Sequence, residues 1–236
     1  MPINANLNQP NIQRPSRWSY YKEPLGLMEV PKLLIYSRQL KDLPHGNQQP
    51  IMVIPGYAAS DMSTFILRQF LKRKKYRVRG WGLGRNKGHV EEVIIPLREQ
   101  VLDYHAEIQE PLILIGWSLG GYLAREIARD YPEMISQVIT LGSPIIGGPK
   151  YTSAAPIYEK KGFNLDEMER KIVEREEVPI TTPITAIYSK NDGVVPWQAC
   201  MDHYSPNVEH TEVSTTHVGL AFSSEVFVII AGKLAD

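Results

Sequence analysis

The sequence predicts an α/β fold, a mostly parallel sheet of about six strands with helices on both faces, and three observations carry that reading. From about residue 50 onward, short apolar runs alternate with segments of helical spacing. The run 112–115, LILI, is apolar throughout, as a strand buried on both faces must be, and helical spacing resumes after it at Tyr122, Ile127 and Ala128. Between the two stands Gly116-Trp117-Ser118-Leu119-Gly120, a G-x-S-x-G sequence in a strand–turn–helix setting. Such a turn holds its serine exposed in a strained conformation, and only glycine leaves room on either side.

The expected elements follow in order. Residues 1–24 are rich in Asn, Gln and Pro and read as an irregular arm tacked down by Trp18, Tyr20 and Tyr21, without evident chemistry. In 25–40 the apolar positions Leu27, Val30, Leu33, Leu34 and Ile35 predict a helix interrupted near its start by Gly26 and Pro31. A strand at 51–54 turns through Pro55-Gly56-Tyr57 into a helix with Phe65, Ile66 and Phe70 on one side and Ser60 or Asp61 as its cap. A second strand at 76–80 leads to a helix at 89–109, which Pro96 should kink or delay. After the strand and helix around Ser118, a strand is expected at 137–141.

The alternation then pauses for about forty residues, 142–183, which include a helix at 165–178 capped by Asn164. An insertion of this length after a strand is a small cap or lid over a site, or a plain surface excursion. Strands at 184–189 and 208–213 and a helix at 218–234 complete the chain. The domain reading is an N-terminal arm and helix over 1–49, and one α/β domain over 50–236 carrying a cap insertion at about 143–182.

Composition narrows the function. Of 236 residues 43% are hydrophobic and 22% charged, with formal net charge zero, so nothing in the charge balance favours nucleic acid or a strongly anionic membrane surface as a partner. No run reaches the roughly 18–20 apolar residues of a spanning helix, and the first fifteen residues lack the pattern of a secretion signal. The single Cys200 fits a reducing compartment, and a cytoplasmic location is expected.

A serine hydroxyl attacks only when a base takes its proton, so Ser118 needs a histidine that a carboxylate orients. Such partners should lie in loops that follow strands. His45, His89, His105, His203 and His210 fall before or within other elements, and only His217 directly follows the last strand. The same test selects Asp192, just past the strand at 184–189, whereas Asp61, Asp130, Asp166 and Asp202 read as caps or surface charges. The order Ser118, Asp192, His217 is the one expected on a sheet of this type.

Together PGYAAS, GWSLGG, LGSP, YSKNDGVVPW and STTHVGL resemble the α/β-hydrolase superfamily, and its lipase- and esterase-like members most. The resemblance covers about residues 50–236. It implies Ser118 as nucleophile, His217 as general base and then acid, Asp192 as the orienting carboxylate, and the backbone N–H groups of Tyr57 and Leu119 as an oxyanion hole. It implies no metal and no organic cofactor.

Two departures stand out. Lipases of this kind usually carry His-Gly where this chain has Pro55-Gly56, which removes a side chain that steadies the oxyanion loop, and the N-terminal region offers a helix in place of a strand hairpin.

For substrate contacts, Trp117, Tyr57, Ile145, Ile146 and the helix at 165–178 are expected either to line an apolar acyl pocket or to serve packing alone. The segment from Gly82 to Lys87 lacks the third glycine of a dinucleotide fingerprint and the Gly-Lys-Ser/Thr of a phosphate loop, though Arg85 and Lys87 are candidate contacts for an acidic substrate group. Three functions follow: hydrolysis of a small-molecule or lipid carboxylic ester, transfer of the acyl group to another acceptor through the same triad, or a binding module on the same scaffold. The intact set of three residues disfavours the last.

Overall fold

Ile51, Val53, Ile113 and Ile115 pack on one side of a sheet and Met52, Ile54, Leu112 and Leu114 on the other, so strands without polar alternation are covered on both faces. The structure, a computed structural model, describes residues 12–235, and the first eleven residues of the expected arm lie outside them. The strands are β1 (Pro50–Ile54), β2 (Arg77–Gly80), β3 (Leu112–Trp117), β4 (Ile135–Leu141), β5 (Ile184–Ser189) and β6 (Val208–Val213). They form one sheet in the order β2-β1-β3-β4-β5-β6, with every neighbouring pair parallel.

The helices are α1 (Arg17–Tyr21), α2 (Glu29–Ile35), α3 (Ser37–Asp42), α4 (Phe65–Arg73), α5 (Val90–Ile108), α6 (Leu119–Asp130), α7 (Ala155–Lys160), α8 (Leu165–Arg175) and α9 (Ser224–Lys233). On one face α4 and α9 meet, with Phe70 stacked on Phe227 at a ring separation of 4.8 Å. On the other, α5 and α6 bury Leu97, Val101, Leu123 and Ile127.

Four local expectations change. Helix α5 starts at Val90 and runs on through Pro96, which forfeits one amide bond near its exposed first turns. The C-terminal helix divides into a 3-10 turn at Gly219–Ala221 and α9. Asp61 is not a cap: its carboxylate accepts the N–H groups of Trp81 and Gly82 at 3.0 and 3.1 Å and fastens the loop after β2. The helix expected over 25–40 is broken into a 3-10 turn (Glu23–Met28), α2 and α3, and its Leu27, Leu34 and Ile35 face solvent.

A buried ionic network ties the end of α6 to that of α8. Arg125, with its side chain buried, pairs with Asp202 and lies 3.2 Å from Glu176, while Arg129 Nη2 stands 3.0 Å from the other Glu176 oxygen. Arg175 of α8 reaches Glu126 at 2.7 Å and Asp130 at 2.6 Å. Burial alone would raise the Asp202 pKa, but the Arg125 charge and the N–H groups of Tyr204 and Ser205 hold it below the usual carboxylate range. Asp202, expected as a cap or a surface charge, is thus a buried charge that also accepts the N–H groups of Tyr204 and Ser205. Arg125→Ala would leave Asp202 buried without a counter-charge and Glu176 with Arg129 alone, and should cost about 3–5 kcal/mol, a Tm loss on the order of 10 °C in a thermal melt.

Chain direction reverses at the middle of the sheet. From β1 the chain steps outward to β2, and from β3 it steps the other way to β4, so β1 and β3 flank the switch point beyond which doubly wound sheets bind their ligands. Ile54 pairs with Gly116 across that boundary, which sets the loop after β1 beside the turn after β3.

Candidate active site

At the end of β3 the backbone must reverse from strand to helix within one residue, and Ser118 does so at φ 55°, ψ −124°. Two glycines permit it: a Cβ on Gly116 would lie 2.3 Å from Gly120 O, and one on Gly120 would lie 2.2 Å from Ile54 O. Ser118 N–H donates to Leu141 O at 2.8 Å, which anchors the turn to β4. Its hydroxyl makes no hydrogen bond among the described residues and borders a cavity of about 1070 Å³. A hydrogen bond from such a serine to its base commonly tightens only when substrate is bound.

His217 borders the same cavity. Its ring is buried, and Nδ1 lies 2.6 Å from Asp192 Oδ2. The other Asp192 oxygen accepts the N–H groups of Val194 and Val195 at 2.8 and 2.7 Å, so the carboxylate has a fixed orientation. Gly142, at φ +55°, passes beneath the pair where a Cβ would come within 2.9 Å of Asp192 Oδ2. Burial draws the His217 pKa down, but the charge and hydrogen bond of Asp192, joined by the charge of Glu23, outweigh it and hold the imidazole above its usual value. Ser189, at the end of β5, donates to Thr215 O and so joins the loop carrying Asp192 to the one carrying His217.

Of the two expected oxyanion donors, one directly follows Ser118 and the other belongs to the loop packed against it. Leu119 is the first residue of α6, so its N–H has no partner within the helix. Tyr57 N–H has no acceptor among the described residues, and its neighbour Gly56 packs against Ser118, leaving a Cβ only 3.0 Å from the serine Cβ. Asn86, missed by sequence reasoning, steadies this loop. It is fully buried, its Nδ2 donates to Pro55 O at 3.1 Å, its backbone O accepts from Ala58 at 2.7 Å, and its N–H donates to Ala59 O at 2.8 Å. These bonds fasten the loop that carries Pro55-Gly56.

Glu23 was also missed. This residue of the N-terminal arm is buried between the two partner loops. Its Oε1 accepts from Gly193 N–H at 2.6 Å and His217 N–H at 3.2 Å, and its Oε2 from Val218 N–H at 2.8 Å. No local pattern marks it: only the close packing of Gly26 on Gly219 and of Gly193 on Ser19 brings the arm there.

Of the expected substrate contacts, Trp117 and Tyr57 line the cavity, and Trp117 Nε1 donates to His217 O at 3.1 Å. Ile145 and Ile146 do not. Their N–H groups bond Ala199 O, and Ile146 packs with Val195, Ala199 and Cys200 behind the site, because the chain after β4 turns inward. Arg85 and Lys87 do not line the cavity. The cavity is roofed by α7 and α8 instead, with Ile157, Tyr158, Phe163, Met168 and Ile172 facing it. Helix α7 gave no sequence signal because Ala155-Pro156 carries no apolar stripe. Among the described residues no group of side chains is arranged to hold a metal ion.

Residues 66–233 match the uncharacterised protein family UPF0227. The chain belongs to that family. This UPF0227 member is also similar to the mitochondrial palmitoyl-protein thioesterase ABHD10 of Mus musculus, with 26% identity over 204 residues that cover 74% of this chain and 67% of the mouse protein. Among solved structures it resembles mouse alpha/beta hydrolase domain-containing protein 10, with TM-score 0.55, 21% identity, and coverage of 81% and 90% of the two chains. It also resembles a structure from the metagenome-derived lipolytic enzymes LipS and LipT, with TM-score 0.57, 16% identity, and coverage of 82% and 94%. The UPF0227 member has the α/β-hydrolase fold, as its sequence motifs implied, and its six-stranded parallel sheet is the sheet of that fold.

Proposed function

We propose that this chain is a serine hydrolase that cleaves carboxylic esters, thioesters included, through an acyl-enzyme on Ser118. The observation that carries the proposal is the buried Asp192–His217 pair, 2.6 Å apart, on the same cavity as a serine held at φ 55°. In this reading His217 Nε2 takes the Ser118 proton as Oγ attacks the acyl carbonyl. The N–H groups of Tyr57 and Leu119 receive the developing oxyanion, and His217 passes its proton to the leaving alcohol or thiol. Water then attacks the acyl-serine by the same route in reverse roles.

Residues 143–182 act as a cap, and the apolar wall from α7 and α8 accepts an acyl chain longer than acetyl. Similarity to a palmitoyl-protein thioesterase and to lipolytic enzymes supports an acyl ester or thioester substrate. The compartment proposed is the cytoplasm, which suits the free, buried Cys200.

The test is turnover of p-nitrophenyl esters and acyl thioesters from acetyl to palmitoyl, with fluorophosphonate labelling mapped by peptide mass analysis. Label on Ser118 and an optimum beyond acetyl are expected. A protein that neither takes the label nor turns over any member of the series sinks the proposal. Because Asn86 holds the loop bearing Tyr57, Asn86→Ala should lower kcat about tenfold with little change in KM, a fraction of the hundred- to thousandfold typical of losing an oxyanion donor outright. Steady-state kinetics on the best ester checks this.

A further inference from the structure

The N-terminal arm leaves most of its large hydrophobic side chains exposed. Along residues 17–42 the side packed on the body carries Glu23, Gly26, Glu29, Leu33 and Leu40. Facing solvent instead are Trp18 and Tyr21 of α1 and Leu25 and Met28 of the following 3-10 turn, between 60% and 79% exposed. Leu34 and Ile35 join them, at 78% and 76%. Surface hydrophobics scattered singly need no explanation, but a run of six large ones on a single exposed segment marks an interaction surface.

Charge on the same segment selects the partner. Glu23 is turned inward onto three backbone N–H groups, and Glu29 is buried and bonded to Lys32 at 2.7 Å. What remains exposed is Arg17, Lys22, Lys32, Arg38 and Lys41, against Asp42 alone. A second copy of the chain set on this face would bring cations against cations. A surface combining apolar side chains, Trp and Tyr, and an excess of Lys and Arg matches the headgroup layer of an anionic bilayer, where rings lie at the interface and each cation adds to the attraction. No described helix is long and apolar enough to cross a membrane, so the mode available to this arm is one of lying on the surface.

We propose that residues 17–41 dock this protein onto anionic lipid surfaces. The docking does not depend on the chemistry at Ser118, although Tyr20 lines the cavity and so sets its mouth next to the docking surface.

Sedimentation of the full chain with vesicles tests the proposal. Phosphatidylcholine alone is compared with phosphatidylcholine containing one-third phosphatidylglycerol, at low and at high salt. Binding to the anionic vesicles, weakened by salt and nearly absent from the neutral ones, is expected. The triple variant Trp18→Ser, Leu34→Ser, Ile35→Ser and the triple variant Arg17→Glu, Lys22→Glu, Arg38→Glu should each lower the partition coefficient on the order of a hundredfold. Both should keep the wild-type Tm, since these side chains face solvent. No vesicle binding, equal binding to both lipids, or binding that survives both variants would overturn the proposal. So would a vesicle-free dimer abolished by the apolar triple variant, which would assign the surface to a second copy.

Discussion

Ser118→Ala is expected to lower kcat by about a millionfold, Asp192→Asn by about ten thousandfold, and the double variant by no more than the serine change alone. The Asp192 effect can be argued atom by atom. Oδ1 accepts two N–H groups, from Val194 and Val195, so in the asparagine variant the amide oxygen must stay at that position. The NH2 group is thereby turned toward His217 Nδ1, which Oδ2 faces at 2.6 Å in the native site. Nδ1 must then accept, the ring proton moves to Nε2, and the nitrogen facing the cavity can no longer take a proton from Ser118. Nothing else need move, so Tm should change little while kcat collapses. The non-additivity follows because a misdirected histidine costs nothing further once there is no hydroxyl for it to deprotonate. Single-turnover kinetics of the three variants on one ester decides it; a double variant much slower than Ser118→Ala would show that the residues do not act as a unit.

How much of this was legible in the sequence depends on the distance over which each residue finds its partners. The strands β1 and β3 were the most legible because both are buried on both faces and their apolar runs, 51–54 and 112–115, are unbroken. Ser118, Asp192 and His217 were legible because each directly follows a strand, and a parallel sheet brings all such positions to one edge. Asn86 and Glu23 were not, since each is defined by bonds to backbone groups of loops distant in sequence, and backbone donors leave no trace in residue type. The arm was misread for a related reason. A stripe at Leu27, Leu34 and Ile35 suggests that one face is buried, but periodicity does not say which, and here Glu23 found backbone donors inside while Leu27, Leu34 and Ile35 stayed out. Ile145 and Ile146 were read as either pocket wall or packing, and only the observed course of the chain after β4 assigns them to the buried interior.

Glu23→Gln is expected to lower kcat by about a hundredfold with KM nearly unchanged, the loss typical of a misplacement of about 1 Å at a reacting group. The carboxylate accepts three N–H groups, one from the loop bearing Asp192 and two from the segment bearing His217. A glutamine offers one acceptor oxygen, and its NH2 must face at least one of those donors, leaving it unpartnered at a cost of about 1–3 kcal/mol. The two loops then lose their common clamp, while the cavity wall, to which Glu23 does not contribute, is left intact.

The charge has a second consequence, because Glu23 is one of the groups that raise the His217 pKa. The rise of kcat/KM with pH follows deprotonation of His217 in the free enzyme, so in Glu23→Gln this acid limb should move to lower pH. Stability should respond in the matching sense. A histidine raised in the folded state contributes stability that is fully present below its unfolded value of about 6.5 and lost as pH rises through the folded value. Removing a source of that rise should therefore destabilise the variant more below about pH 6.5 than well above it. A role confined to packing predicts a uniform loss of stability and an acid limb that stays where it was, so the pH profile of kcat/KM, read beside urea denaturation at acid and alkaline pH, separates the two.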